Sequence, residues 1–132
     1  EISLVAIADP SLTVEGLVTK RAIPLYKEAQ TMFEAGNLDA VIVAAPTNHH
    51  YDIVMNALNH HLTVLVEKPI TATIEEARKV TSFAYKQKCQ VLVGHQRRYY
   101  PCTKTAKDII HSGRIGTLMA MTGQWTVRKD SQ

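Results

Sequence analysis

Four short runs of β-branched and aliphatic residues punctuate the chain, Leu4 to Ala8, Ala40 to Ala44, Thr63 to Val66 and Gln90 to Val93, and none alternates cleanly with polar positions. A strand with no polar face is expected to be covered on both sides, so Val64, Leu65 and Val66 predict a strand without a solvent side. Between the runs the apolar period lengthens to that of helices, over Leu25 to Ala35 closed by Gly36, Asp52 to His60, and Ile74 to Lys86. Thr73, followed three residues later by Glu76, makes a capping box for the last of these, and Ile74, Ala77, Val80, Thr81 and Ala84 give it a sheet-facing stripe. Thr47 or Asn48 can cap the preceding helix. The order β-α-β-α-β-α-β predicts an α/β protein with a doubly wound parallel sheet, helices on both faces and right-handed crossovers. Past Pro101 the texture changes to a helix from Thr103 to His111 ending at Gly113, and then to a strand-like run from Thr117 to Val127.

Composition narrows the class without naming a function. A chain of 132 residues, 45% hydrophobic and 20% charged, is an ordinary globular protein with a real core. No apolar run approaches the ~18 residues that span a bilayer, and no signal-peptide pattern is present, so no membrane partner is expected. Cys89 and Cys102 match neither disulfide nor metal spacing, which suits the cytoplasm. The net charge is +3 with scattered basic residues, and 6% aromatic content is too thin for an RNA-reading surface, so no nucleic-acid partner is expected. His49-His50 and His60-His61 are adjacent pairs whose rings point apart, and no metal site is expected. The chain enters a strand at once, without an initiator methionine, and reads as cut from something longer.

The chemistry gathers where strands end. Glu67, Lys68 and Pro69 follow the most apolar run; the proline forbids helical continuation and keeps Lys68 extended, so a carboxylate and an ammonium sit at the strand's mouth. That is where open parallel sheets hold ligands; the plainer alternative is a surface ion pair. Asp9 follows the first strand, where an acidic side chain accepts from both ribose hydroxyls and repels a 2′-phosphate, or else merely begins a turn with Pro10. After the second strand, Ala44, Ala45 and Pro46 allow a flat cofactor to approach, and Asn48 and His50 can donate to ribose or phosphate oxygens. Alternatively, one histidine of the pair faces solvent and the other caps or packs. The run Val91-Leu92-Val93-Gly94 leads likewise into His95, Gln96, Arg97 and Arg98, so polar groups converge on one sheet edge.

In this order and spacing, Val5-Ala6-Ile7-Ala8-Asp9-Pro10, Asp39 to Pro46 with Asn48 and His50, Glu67-Lys68-Pro69, Val93 to Pro101 and Gly113-Arg114-Ile115-Gly116 resemble the glucose-fructose oxidoreductase, inositol dehydrogenase and rhizopine-catabolism (Gfo/Idh/MocA) family of NAD(P)-dependent dehydrogenases. The resemblance implies a Rossmann-type cofactor domain over residues 1–115 and the beginning of an α+β substrate domain over 116–132. It implies NAD rather than NADP, with Asp9 on the adenosine ribose, Glu67 near the nicotinamide ribose, and Pro46, Asn48, His50 and Gln96 bordering the cofactor. Lys68 matches the family's catalytic lysine and also borders the cofactor, its following peptide bond is often cis, and Arg98 and Tyr100 line the substrate edge. The substrate class implied is a sugar, polyol or cyclitol, and the resemblance leaves the full-length form open between a monomer and a homo-oligomer.

Departures from the family pattern carry their own expectations. None of the six glycines forms G-x-G-x-x-G, so the doubly wound sheet lacks its first strand and is split between the strand ending at Asp9 and the one ending at Pro46. Gln96 stands where asparagine is usual, and His95 where an aromatic is usual. The family's proton-transfer aspartate and histidine would lie beyond Gln132, so this chain alone is expected to be inactive. A shortened, non-catalytic relative serving binding or dimerisation is the alternative, and a strand supplied by a separate chain is a third possibility.

Overall fold

The computed structural model describes residues 2–11, 16, 21–124 and 126. The chain divides into two compact units, Glu1–His95 and Gln96–Gln132.

The first unit is built on parallel strands in two groups. Strands β1 (Ile7–Ala8) and β2 (Leu25–Tyr26) form one pair, with Ile7 opposite Leu25 and Ala8 opposite Tyr26. Strands β3 (Ala40–Val43), β4 (Thr63–Glu67) and β5 (Val91–Gly94) form a three-stranded sheet in that spatial order. Among the described residues no strand joins β1 to β3, so the break falls between the strands ending near Asp9 and Pro46, where the resemblance puts it. Helix α1 (Ala29–Glu34) precedes β3, α2 (Thr47–Asn59) links β3 to β4, and α3 (Ile74–Gln87) links β4 to β5.

Helices α2 and α3 lie on one face of the three-stranded sheet. Val43, Val64 and Val66 pack there with Val54, Ala57 and Leu58 of α2 and Val80 and Ala84 of α3. The other face differs from the expectation of strands covered on both sides. Ile42, Leu65 and Leu92 stand opposite one another across the sheet and are 71%, 38% and 51% exposed. The cause is topological: β3, β4 and β5 advance in one direction, and right-handed crossovers made in one direction put their helices on the same side. The apolar residues between the inward valines thus reflect a parallel-sheet strand composition without a second covering layer among the described residues.

Local signals explain most element boundaries. The expected capping box is present: the Thr73 hydroxyl oxygen accepts from the Glu76 amide at 3.2 Å, and the Glu76 carboxylate accepts from the Thr73 amide at 3.1 Å. Thr73→Ala is expected to cost about 1 kcal/mol, read as a lowered urea midpoint with unchanged slope. The expected helix over Leu25 to Ala35 forms only from Ala29, because Pro24 favours an extended approach and Leu25 and Tyr26 pair with β1 instead. Gly36 at φ +74 still ends it, as a residue free to adopt the left-handed region. Helix α2 begins at Thr47 rather than Asp52, with Pro46 as its N-cap and no side-chain cap, so neither Thr47 nor Asn48 caps it.

The second unit contains a 3₁₀ turn (Gln96–Tyr99) and helix α4 (Pro101–His111), which starts two residues earlier than expected. Proline is at home there, since the first helical N–H has no intrahelical partner. The strand expected over Thr117 to Val127 does not form among the described residues, where nothing pairs with it.

Candidate active site

The carboxyl ends of β3, β4 and β5 lie side by side, because Val43, Val66 and Val93 occupy one row of the sheet and Glu67 stands opposite Gly94. Glu67 is the last residue of β4, and its carboxylate lies over the neighbouring strand: a Cβ built on Gly94 would sit 3.2 Å from Oε2 and 3.3 Å from Cδ. The same Oε2 accepts the backbone N–H of Lys68 at 3.2 Å. Gly94 therefore leaves the floor on which the carboxylate rests. Nothing in the local sequence singles it out, since the relation exists only once the register of β4 and β5 is known.

Lys68 is exposed at the mouth of β4, and among the described residues its ammonium makes no hydrogen bond or ion pair. The Lys68–Pro69 peptide bond is cis, as the resemblance implies. Consecutive residues at this strand end thus supply a cation that can stabilise developing negative charge and a carboxylate that can hold hydroxyls.

The other expected residues take different positions. Asp9 follows β1, and its Oδ1 accepts from the Ser11 amide at 2.9 Å and the Ser11 hydroxyl at 2.6 Å, so it does begin a turn with Pro10. Ala44 and Pro46 are exposed at the end of β3, and Asn48 is exposed in the first turn of α2 with Nδ2 3.3 Å from the His49 ring. His50 differs from expectation. It is 1% exposed, and its ring nitrogens face backbone carbonyls, Nδ1 at 2.9 Å from Pro69 O and Nε2 at 2.8 Å from Ala45 O. Neither nitrogen is offered to a ribose or phosphate; of the histidine pair, His49 faces solvent and His50 packs. Gln96, Arg98 and Tyr100 belong to the second unit, all exposed, so the group assembled in the first consists of Asp9, Pro46, Asn48, Glu67 and Lys68.

These residues fit the two ribose ends of a dinucleotide. Asp9 and Glu67 are carboxylates at strand ends, one in each half of the sheet, and the end of β3 carries only small residues. A glycine-rich phosphate turn is not part of the sequence.

Comparison with known proteins agrees with the parallel α/β architecture. Residues 1–95 match the family described as oxidoreductases with an NAD-binding Rossmann fold, Gfo/Idh/MocA. The rhizopine catabolism protein MocA of Rhizobium meliloti is 35% identical over 125 residues, covering 94% of this chain and 39% of that protein. The scyllo-inositol 2-dehydrogenase (NAD(+)) of Bacillus subtilis is 30% identical over 116 residues, covering 86% of this chain and 34% of that protein. Among solved structures, the myo-inositol 2-dehydrogenase of Lactobacillus plantarum superposes with a TM-score of 0.80 at 28% identity, covering 87% of this chain and 35% of its own. The chain thus spans little more than a third of the length of these relatives. By the match over its first 95 residues and by its parallel α/β architecture, the chain belongs to the Gfo/Idh/MocA oxidoreductase family and carries its NAD-binding Rossmann fold.

Proposed function

We propose that the protein containing these residues oxidises a secondary alcohol of a cyclitol, polyol or sugar with NAD, and that Lys68 is its catalytic residue. The observation that carries this reading is the exposed, unengaged Lys68 side chain directly after Glu67, at the carboxyl end of the central strand of a parallel sheet. Two relatives named for inositol oxidation favour a cyclitol as the first substrate class to test. Residues 1–115 serve as the cofactor domain and 116–132 begin the substrate domain.

Bound nicotinamide supplies the hydride acceptor. Lys68 donates a hydrogen bond to the reacting hydroxyl oxygen and stabilises the negative charge that grows there as the hydroxyl proton passes to a general base, while the carbon gives up its hydride. Glu67 holds the nicotinamide ribose and Asp9 the adenosine ribose, with Pro46 and Asn48 along the cofactor. Incubation of the full-length protein that contains these residues with NAD and either myo-inositol or scyllo-inositol tests the reading by the appearance of reduced nicotinamide. No reduction with these or with a panel of sugars and polyols would contradict it.

The role of Asp9 is tested separately. Asp9→Asn keeps an Oδ1 acceptor for Ser11 and removes the charge that repels a 2′-phosphate, so the preference for NAD over NADP is expected to fall about tenfold or more. Paired titrations with NADH and NADPH measure it, and an unchanged ratio would remove Asp9 from the site.

A further inference from the structure

Among the described residues, His50 is the one strongly buried titratable side chain, and its contacts are specific. Its ring lies in the first turns of α2 and reaches two carbonyls 19 and 5 residues away, Pro69 O through Nδ1 and Ala45 O through Nε2. Ala45 follows the end of β3, and Pro69 follows Lys68 at the end of β4. A carbonyl oxygen can only accept, so each contact is a hydrogen bond when the ring nitrogen facing it carries the proton. Lys68 is thereby bracketed: its own amide is held by the Glu67 carboxylate at 3.2 Å, and the carbonyl of the next residue is held by His50 at 2.9 Å.

We propose that His50 is a positioning residue for Lys68: its ring, donating from Nδ1 to the Pro69 carbonyl, straps the turn after β4 to the start of α2 and so aims the lysine from the sheet edge, without touching cofactor or substrate. This rests on the reading of Lys68 as the catalytic residue. Packing alone does not account for the arrangement, because an apolar side chain would fill the same volume and leave the Pro69 carbonyl without this donor. It also explains why a residue on the inner face of α2, in line with Val54, Ala57 and Leu58, is polar.

Two substitutions separate the strap from simple packing. In His50→Asn the side-chain nitrogen lies near the position of Nδ1 and can keep the bond to Pro69, whereas in His50→Gln it lies near that of Nε2 and can keep only the bond to Ala45. Backbone ¹⁵N relaxation of the 132-residue chain is the readout. His50→Gln is expected to lower the order parameters of Lys68, Ile70 and Thr71 from about 0.85 to below about 0.6, while His50→Asn leaves them near the unsubstituted values. Equal loss in both variants, or loss in neither, would overturn the proposal. Should either variant fail to fold, long-range ¹H–¹⁵N correlation on the unsubstituted chain decides: a proton on His50 Nδ1 supports the strap, and an unprotonated Nδ1 overturns it. A second readout follows the NADH-induced shift of the Lys68 amide, expected to persist in His50→Asn and to be lost in His50→Gln; the reverse would overturn the positioning role. If NADH leaves Lys68 unshifted in the unsubstituted chain, the reading of the site fails, and the order parameters still decide the strap.

Discussion

Lys68→Ala is expected to lower turnover about 10²- to 10³-fold in the protein that contains these residues, while changing NADH affinity less than about threefold. The size follows from what the ammonium is placed to do. It is exposed, it is not spent on an ion pair among the described residues, and it stands at the end of β4 where charge develops on the reacting oxygen. A group that acts mainly on the transition state is lost from kcat, whereas one that merely holds the cofactor is lost from binding. Lys68→Arg is expected to recover only part of the activity, because a planar guanidinium cannot present its donors as a compact ammonium does. Steady-state kinetics with a direct NADH titration separate the cases; equal losses in turnover and affinity would make Lys68 a cofactor-holding residue.

Leu58→Ala is expected to have the largest effect on stability, about 2–5 kcal/mol. Leu58 is 0% exposed near the end of α2, where it packs in one cluster with Val64 and Val66 of β4 and Val80 of α3. Against a typical net stability of about 5–15 kcal/mol, that loss can unfold much of the population. The first unit has little reserve, since its three-stranded sheet is covered on one face and its strands fall in two groups. Ile42→Ala supplies the contrast. Ile42 is 71% exposed on the other face, and the change is expected to move stability by no more than about 0.5 kcal/mol. Urea unfolding of both variants checks the pair, and a comparable loss at Ile42 would mean that this face is covered.

How far the sequence reaches is clearest at α2. Its strands are legible because β3, β4 and β5 are short apolar runs bounded by polar turns, and each lies within a residue of its expected span. The mouth of β4 is legible too, since Pro69 ends the strand just where Glu67 and Lys68 stand. The apolar period begins only at Asp52, so it does not report on which side of α2 His50 stands. Once the helix begins at Thr47, His50 stands four residues before Val54, on the inner face, and its ring turns to the carbonyls of Ala45 and Pro69. β2 is hidden inside an apparent helix because its pairing with β1 is a contact across the fold, which local periodicity does not report. Gly94 is silent for the same reason: it matters only as the residue opposite Glu67. The exposed row Ile42, Leu65 and Leu92 is as apolar as a buried one, so crossover direction, rather than residue type, decides which face is covered.

An NADH titration of the ¹⁵N-labelled chain, followed amide by amide, decides whether the strand mouths form the dinucleotide site. The largest shifts are expected at the carboxyl ends of the strands, at Asp9, Asn48, Glu67, Lys68 and Gly94, with NADPH giving weaker ones. Shifts confined to the opposite ends of the strands, near Asp39, Leu62 and Gln90, or no shifts under saturating NADH, would contradict it.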